Sequence, residues 1–168
     1  TNLSCSASNN GNPLCRNLTH YYSFDINGTN DANVSGYELA RTGTSITHVG
    51  VKIRNGSKYA GATGEFYDAG QGIPKGNKTV AGWFNLSSVD PPADFTCVLM
   101  TTPCAGGATT GGIRVVVDLD ADTNFGMAIH GSGAQHLYAE TKISNLVKDM
   151  HYVMWIYDST KINLTMYI

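Results

Sequence analysis

The sequence predicts an all-β fold, a sandwich of two antiparallel sheets. Three observations carry this. Apolar and polar residues alternate over long stretches, turn dipeptides break the alternation at short intervals, and no segment sustains a helical period. A period of two marks strands with one face buried and one in solvent.

Residues 1–17 read as an extension or arm and 18–168 as a single sandwich domain. The first segment is polar, rich in Ser and Asn, and holds Cys5, Pro13 and Cys15. Leu18 to Asp25 is the first strand. A loop follows over Ile26 to Gly36, and Tyr37 to Arg41 is a short strand. From Ile46 the alternation is clearest, with Thr47, Val49, Val51 and Ile53 on one face. Asn55-Gly56 then reads as a tight turn, because Asn and Gly accept positive φ cheaply. Lys58 to Asp68 places small residues beside Phe66 and Tyr67, which suits close packing under a facing sheet. Thr79 to Leu86 is a further strand, with Trp83 expected as a core anchor.

Pro91 and Pro92 mark the next loop, since proline offers the ladder no N–H. Phe95 to Thr101 is a strand, and the Gly-rich stretch from Pro103 to Gly112 is a connector. Ile113 to Leu119 and Phe125 to His130 form a hairpin. Leu137 to Ile143 is a strand, Leu146 to Asp149 a turn, and Tyr152 to Asp158 another strand. Ile162, Leu164, Met166 and Ile168 alternate with Lys161, Asn163, Thr165 and Tyr167 in the last one, and Ile162, Leu164 and Met166 are expected to claim its inner face. There is no internal repeat.

Several of these stretches resemble laminin-G-like, concanavalin-A-type jelly rolls. Gly56-Ser57-Lys58-Tyr59-Ala60-Gly61-Ala62 with Phe66-Tyr67-Asp68 is similar to that family's G-K-x-G-x-A-x-x-F-D-G segment. Thr79-Val80-Ala81-Gly82-Trp83-Phe84 resembles the strand after it. His20 to Asp25 resembles the family's opening L-x-Y-x-F-D, and His151 to Asp158 with Ile162 to Ile168 its W-H-H-V-A-x-x-Y-D-G … L-Y-V-D-G. The motifs keep the family's order from about Leu18 to Ile168. Three departures stand out: Met150 replaces the usual Trp, Gly64-Glu65 interrupts an apolar pair, and the sequence stops where the family adds strands. The resemblance implies a jelly-roll sandwich, and often calcium or carbohydrate as ligand.

Composition narrows the function. Hydrophobic residues make up 42% of the 168, enough for one packed core. Charged residues are 14% and net charge is −2, with no basic patch to attract nucleic acid. No apolar run is long enough for a membrane helix, so no membrane span is expected. Thr1 is expected to be the start of a processed chain.

Eight of the fourteen asparagines stand in Asn-x-Ser/Thr: Asn2, Asn17, Asn27, Asn33, Asn55, Asn77, Asn85 and Asn163. With Ser and Thr at 29 of 168 residues, chance gives about two. The excess predicts dense N-glycosylation of an extracellular protein, secreted or on a cell-surface appendage. Sugars would then replace charge as the solubilising layer. The competing reading is that Asn, Ser and Thr are simply common in turns. Four cysteines fit an oxidising compartment and allow three pairings; Cys5–Cys15 and Cys97–Cys104, which close short loops, are expected. Zinc is the rival reading, though the spacings are not C-x-x-C.

Catalysis finds little support. Asp118, Asp120, Asp122 and Asn124 echo a calcium loop, but Thr123 stands where an EF-hand needs Gly and Ile129 where it needs Glu. No cofactor is expected. Calcium at this turn, or near Asp25, Asn27 and Asp31, is the alternative. Glu38, Glu65 and Glu140 do not pair as a glycosidase requires, and His20, His48, His130, His136 and His151 are scattered. The chain is not expected to be an enzyme.

Two functions compete. The first is a secreted structural glycoprotein that polymerises with copies of itself by strand pairing between subunits, because absent final strands would leave an open sheet edge at Leu18 to Asp25, with Ile162 to Ile168 alternating as a donor strand needs. The alternative is a carbohydrate-binding or adhesion module, which nine tyrosines and the family resemblance favour.

Overall fold

A computed structural model describes residues 40–42, 47–50, 55–58, 66–68, 76–86, 96–100, 112–118, 124–130 and 136–168. These form eleven strands and one short 3-10 turn, so the fold is all-β. The strands are β1 Ala40–Thr42, β2 Thr47–Gly50, β3 Asn55–Lys58, β4 Phe66–Asp68, β5 Lys78–Phe84 and β6 Thr96–Met100. They continue with β7 Ile113–Asp118, β8 Asn124–His130, β9 His136–Lys142, β10 His151–Asp158 and β11 Asn163–Tyr167. The expected strand at Leu18 to Asp25, the arm, Cys5, Cys15 and Cys104 lie outside the described residues.

A six-stranded sheet runs in the order β1-β4-β6-β7-β8-β9, and a three-stranded sheet in the order β11-β10-β5. Pairing is antiparallel except between β4 and β6. A separate hairpin joins β2 to β3.

The two larger sheets share one core. Ile113, Val115 and Val117 of β7 and Phe125, Met127 and Ile129 of β8 meet Val153 and Trp155 of β10. Phe84, Phe125 and Trp155 form an aromatic triangle across the two sheets, with ring centroids 4.9 to 5.8 Å apart. Tilted and edge-on arrangements like these suit the quadrupoles of the rings. The indole N–H of Trp155 donates to the carbonyl of Ala139 at 3.1 Å, so the largest core side chain leaves no polar atom stranded. Leu146, in the expected turn, is fully buried and seals this core beside Ile143 of the 3-10 turn.

Three expectations are corrected. Trp83 is not a core anchor: it is 46% exposed, and its neighbour Phe84 points inward. Adjacent residues of a strand face opposite ways, so only one of the two can be inside. Trp155 is the tryptophan of the core. Second, Asn55-Gly56 is not a turn but the start of β3, opposite Gly50 and Val49; pairing to β2 overrides local turn preference. Third, Ile162 does not join the inner face of the last strand. It precedes β11 at φ 52° and is 68% exposed, leaving Leu164 and Met166 to pack inward.

Strand β6 carries an irregularity between Cys97 and Leu99, where the register against β7 shifts by one residue. Such a bulge re-aims the side chains that follow it.

Candidate interaction surface

The face of the three-stranded sheet turned away from the core is built by alternation. Along β5, Lys78, Val80, Gly82 and Phe84 are half-buried, whereas Thr79, Ala81 and Trp83 are exposed. Leu86 packs on the core, so exposed Asn85 continues the outer row. Register then fixes what lies alongside. Tyr152 stands opposite Trp83, Met154 lies between Ala81 and Tyr167, and Ile156 lies between Thr79 and Thr165. The outer surface is therefore apolar at its centre, with Trp83, Tyr152, Ile156 and Tyr167 all well exposed. The Trp83 and Tyr152 rings lie 5.4 Å apart and are tilted by 59°, so they form a corner.

Three acceptor asparagines frame this surface. Asn77 and Asn163 lie at one end and Asn85 at the other, all exposed. The side-chain carbonyl of Asn77 accepts from the Ser159 N–H at 2.7 Å and from its hydroxyl at 2.6 Å. That leaves the Asn77 amide nitrogen, the atom that would carry sugar, outside these two bonds. Asn163 donates from Nδ2 to Thr165 Oγ1 within its own Asn-Leu-Thr motif. Asn55 opens β3, while Asn2, Asn17, Asn27 and Asn33 fall outside the described residues.

Strand β11 forms one edge of the sheet. Among the described residues it pairs with β10 alone. Ile162 just before it and Ile168 just after it are exposed, as is Tyr167. The β10–β11 turn is tied down by Asp158, whose Oδ1 accepts from the N–H groups of Thr160 and Lys161 at 2.9 and 3.1 Å. These bonds, that to Lys161 foremost, hold the Asp158 carboxyl below its ordinary range. On the core side of the same end, Lys78 Nζ lies 5.7 Å from the Tyr157 ring centroid, and burial pushes its pKa down.

A second polar cluster lies elsewhere. Arg114 of β7 and His130 of β8 are both buried, and Arg114 Nε donates to His130 Nε2. Burial lowers the Arg114 pKa. An imidazole that accepts from a guanidinium is neutral at that nitrogen, and the lone pair a general base would use is engaged. The pair reads as internal cross-bracing of two central strands.

Asp118 and Asn124 face each other at the end of the β7–β8 hairpin, while Asp120 and Asp122 lie outside the described residues. Among the described residues, no group of three His, Cys, Asp or Glu is placed to hold a metal. No helix there is long and apolar enough to cross a membrane. Cys97 sits in β6. Sequence reasoning overlooked the Trp83–Tyr152 corner. The signal was present: Thr79 and Asn85 share the parity of Trp83, whereas Val80 shares that of Phe84. Compared with known proteins, the chain finds no significant match among family models, curated proteins or solved structures.

Proposed function

We propose that the chain is a secreted, heavily N-glycosylated structural protein of jelly-roll, laminin-G-like architecture, whose copies join into a polymer through strand edges. Strand β11 carries this reading. It is an edge strand flanked by two exposed isoleucines, and its inward residues Leu164 and Met166 are only half-buried. Bare apolar edges invite pairing with another chain, and strand addition joins backbone hydrogen bonds to side-chain pockets. A contact that passes from one copy to the next without closing yields a filament. In this reading the work is done by covalent sugars and by further copies of the chain, without catalysis.

The test is electron microscopy and sedimentation of native material, with intact mass before and after deglycosylation. Polymers are expected, with a mass above the bare 17.9 kDa per subunit. Ile162→Lys with Ile168→Lys should abolish assembly while the melting curve of the subunit stays in place, because both side chains are exposed and charged edges resist pairing. A monomer at every concentration, or a variant that still polymerises, defeats the proposal.

The Trp83–Tyr152 corner favours a second reading, carbohydrate recognition, since exposed rings stack on sugar faces. Selective binding on a glycan array by the deglycosylated chain would establish it.

A further inference from the structure

An exposed apolar sheet face in a soluble chain needs something to cover it. The outer face of the three-stranded sheet has such a cover within reach. Asn85 lies two residues beyond Trp83, just past the end of β5, and continues its exposed row. Two residues of extended chain span ~6.8 Å. Tyr152, across the ladder from Trp83, supplies a second ring tilted 59° to the first. A pyranose has a face of C–H groups carrying slight positive charge, and an aromatic face carries the complementary negative quadrupole. A sugar on Asn85 therefore starts beside two half-exposed rings.

We propose that the N-linked glycan of Asn85 folds back on the sheet, its first sugar stacking in the corner between Trp83 and Tyr152. This rests on the glycoprotein reading above and extends it to one site. The other two acceptors on this face are placed differently. Asn77 lies just before β5, two residues from Thr79, and its carbonyl is held by Ser159. Asn163 neighbours Thr165 and stands opposite Asp158. Only Asn85 of these three has an aromatic ring two residues away on its own face. The stacked sugar covers Trp83 and Tyr152 and lies away from β11, which is on the far side of β10.

The chain contains two tryptophans, and Trp155 is fully buried. Quenching of tryptophan fluorescence by acrylamide therefore reports on Trp83. The native glycosylated chain is compared with Ser87→Ala, which removes the Asn85 acceptor motif, and with Thr165→Ala, which removes that of Asn163. Glycopeptide mapping establishes occupancy in each. Expected are an occupied Asn85, Trp83 shielded in the native chain and in Thr165→Ala, and shielding lost in Ser87→Ala. The melting temperature of Ser87→Ala should fall by about 2–4 °C, the scale of one aromatic contact in a chain of this size. That fall should vanish when both forms carry Trp83→Ala. Equal quenching in the native chain and Ser87→Ala overturns the proposal, as does shielding lost on dilution alone, which would mean that a second copy covers the rings. An unmodified Asn85 among other sugar-bearing asparagines overturns this proposal and leaves the glycoprotein reading standing. Absence of sugar at every acceptor overturns both.

Discussion

The centre of the six-stranded sheet and the three-stranded sheet solve the same burial problem in opposite ways. Strands β7 and β8 read IRVVVD and NFGMAIH, and from Ile113 to Val117 and Phe125 to His130 every residue is buried. Both faces are covered, so even Arg114 and His130 are inside, where Arg114 Nε donates to His130 Nε2. Strands β5 and β10 instead alternate, one face in the core and one in solvent. Continuous apolar runs belong to strands buried on two sides, and alternation to strands buried on one. What differs physically is the freedom of the outer face. In β7 and β8 it is committed to packing, whereas in β5 and β10 it stays exposed and carries aromatic rings.

The two tryptophans test this contrast most severely. Trp155 is fully buried and closes the aromatic triangle with Phe84 and Phe125, so Trp155→Ala should cost about 3–5 kcal/mol. Trp83→Ala, measured on chain free of any sugar, should cost only about 1 kcal/mol, the scale of its pairing with Tyr152. Chemical denaturation of both variants gives the comparison. Equal losses would mean that the outer face of the small sheet is covered after all.

Glycines sharpen it next. At Gly126 of β8 an added Cβ would stand 2.5 Å from Glu140 Cβ and 2.6 Å from the Ala139 carbonyl oxygen. Backbone cannot yield there, so Gly126→Ala should cost about 1–3 kcal/mol. At Gly82 of β5 the same Cβ meets the Phe84 ring at 3.1 Å, a side-chain edge that can tilt. Gly82→Ala should therefore cost under about 1 kcal/mol. Thermal melts that rank the two in reverse would break the distinction between a clamped sheet and a looser one.

The same contrast explains what could be read from the sequence. Class and strand positions were legible because alternation and turns are local signals: β5, β7, β8 and β10 fall within a residue or two of their expected limits. Facing was legible only where polar neighbours vote. In Trp83-Phe84 both residues are apolar, and choosing by size put the wrong one inside, although Asn85 and Thr79 marked the outer row. Pairing order was not legible, because β4 beside β6 and β10 beside β5 join residues far apart in sequence. Nor was the burial of Leu146, whose neighbour Val147 forms a parallel bridge to the distant Leu86. Of the candidate surface, Asn77, Asn85 and Asn163 were visible as motifs, but their gathering on one face is a product of register.

The smallest expected effect concerns the turn that starts the β11 edge. Asp158 accepts two backbone N–H bonds in that turn, and its charged form accepts them more strongly than its neutral form. Its folded pKa is therefore depressed relative to the ordinary 3.8, chiefly by the Lys161 N–H. The folded state then binds the proton less readily than the unfolded chain, so this contribution to stability is complete above the ordinary value and is lost as pH falls through the depressed one. The charge of nearby Lys78 acts the other way on folding, although its pKa is lowered too and its pH dependence has the same sign. Burial lowers its pKa from 10.5, so its charge opposes folding, and stability rises as pH climbs toward that value. Asp158→Asn should thus melt below the wild type at neutral pH, with the gap closing at the acidic end of that window. A gap at Asp158 that does not change with pH would show that the turn leading into β11 is held by shape alone.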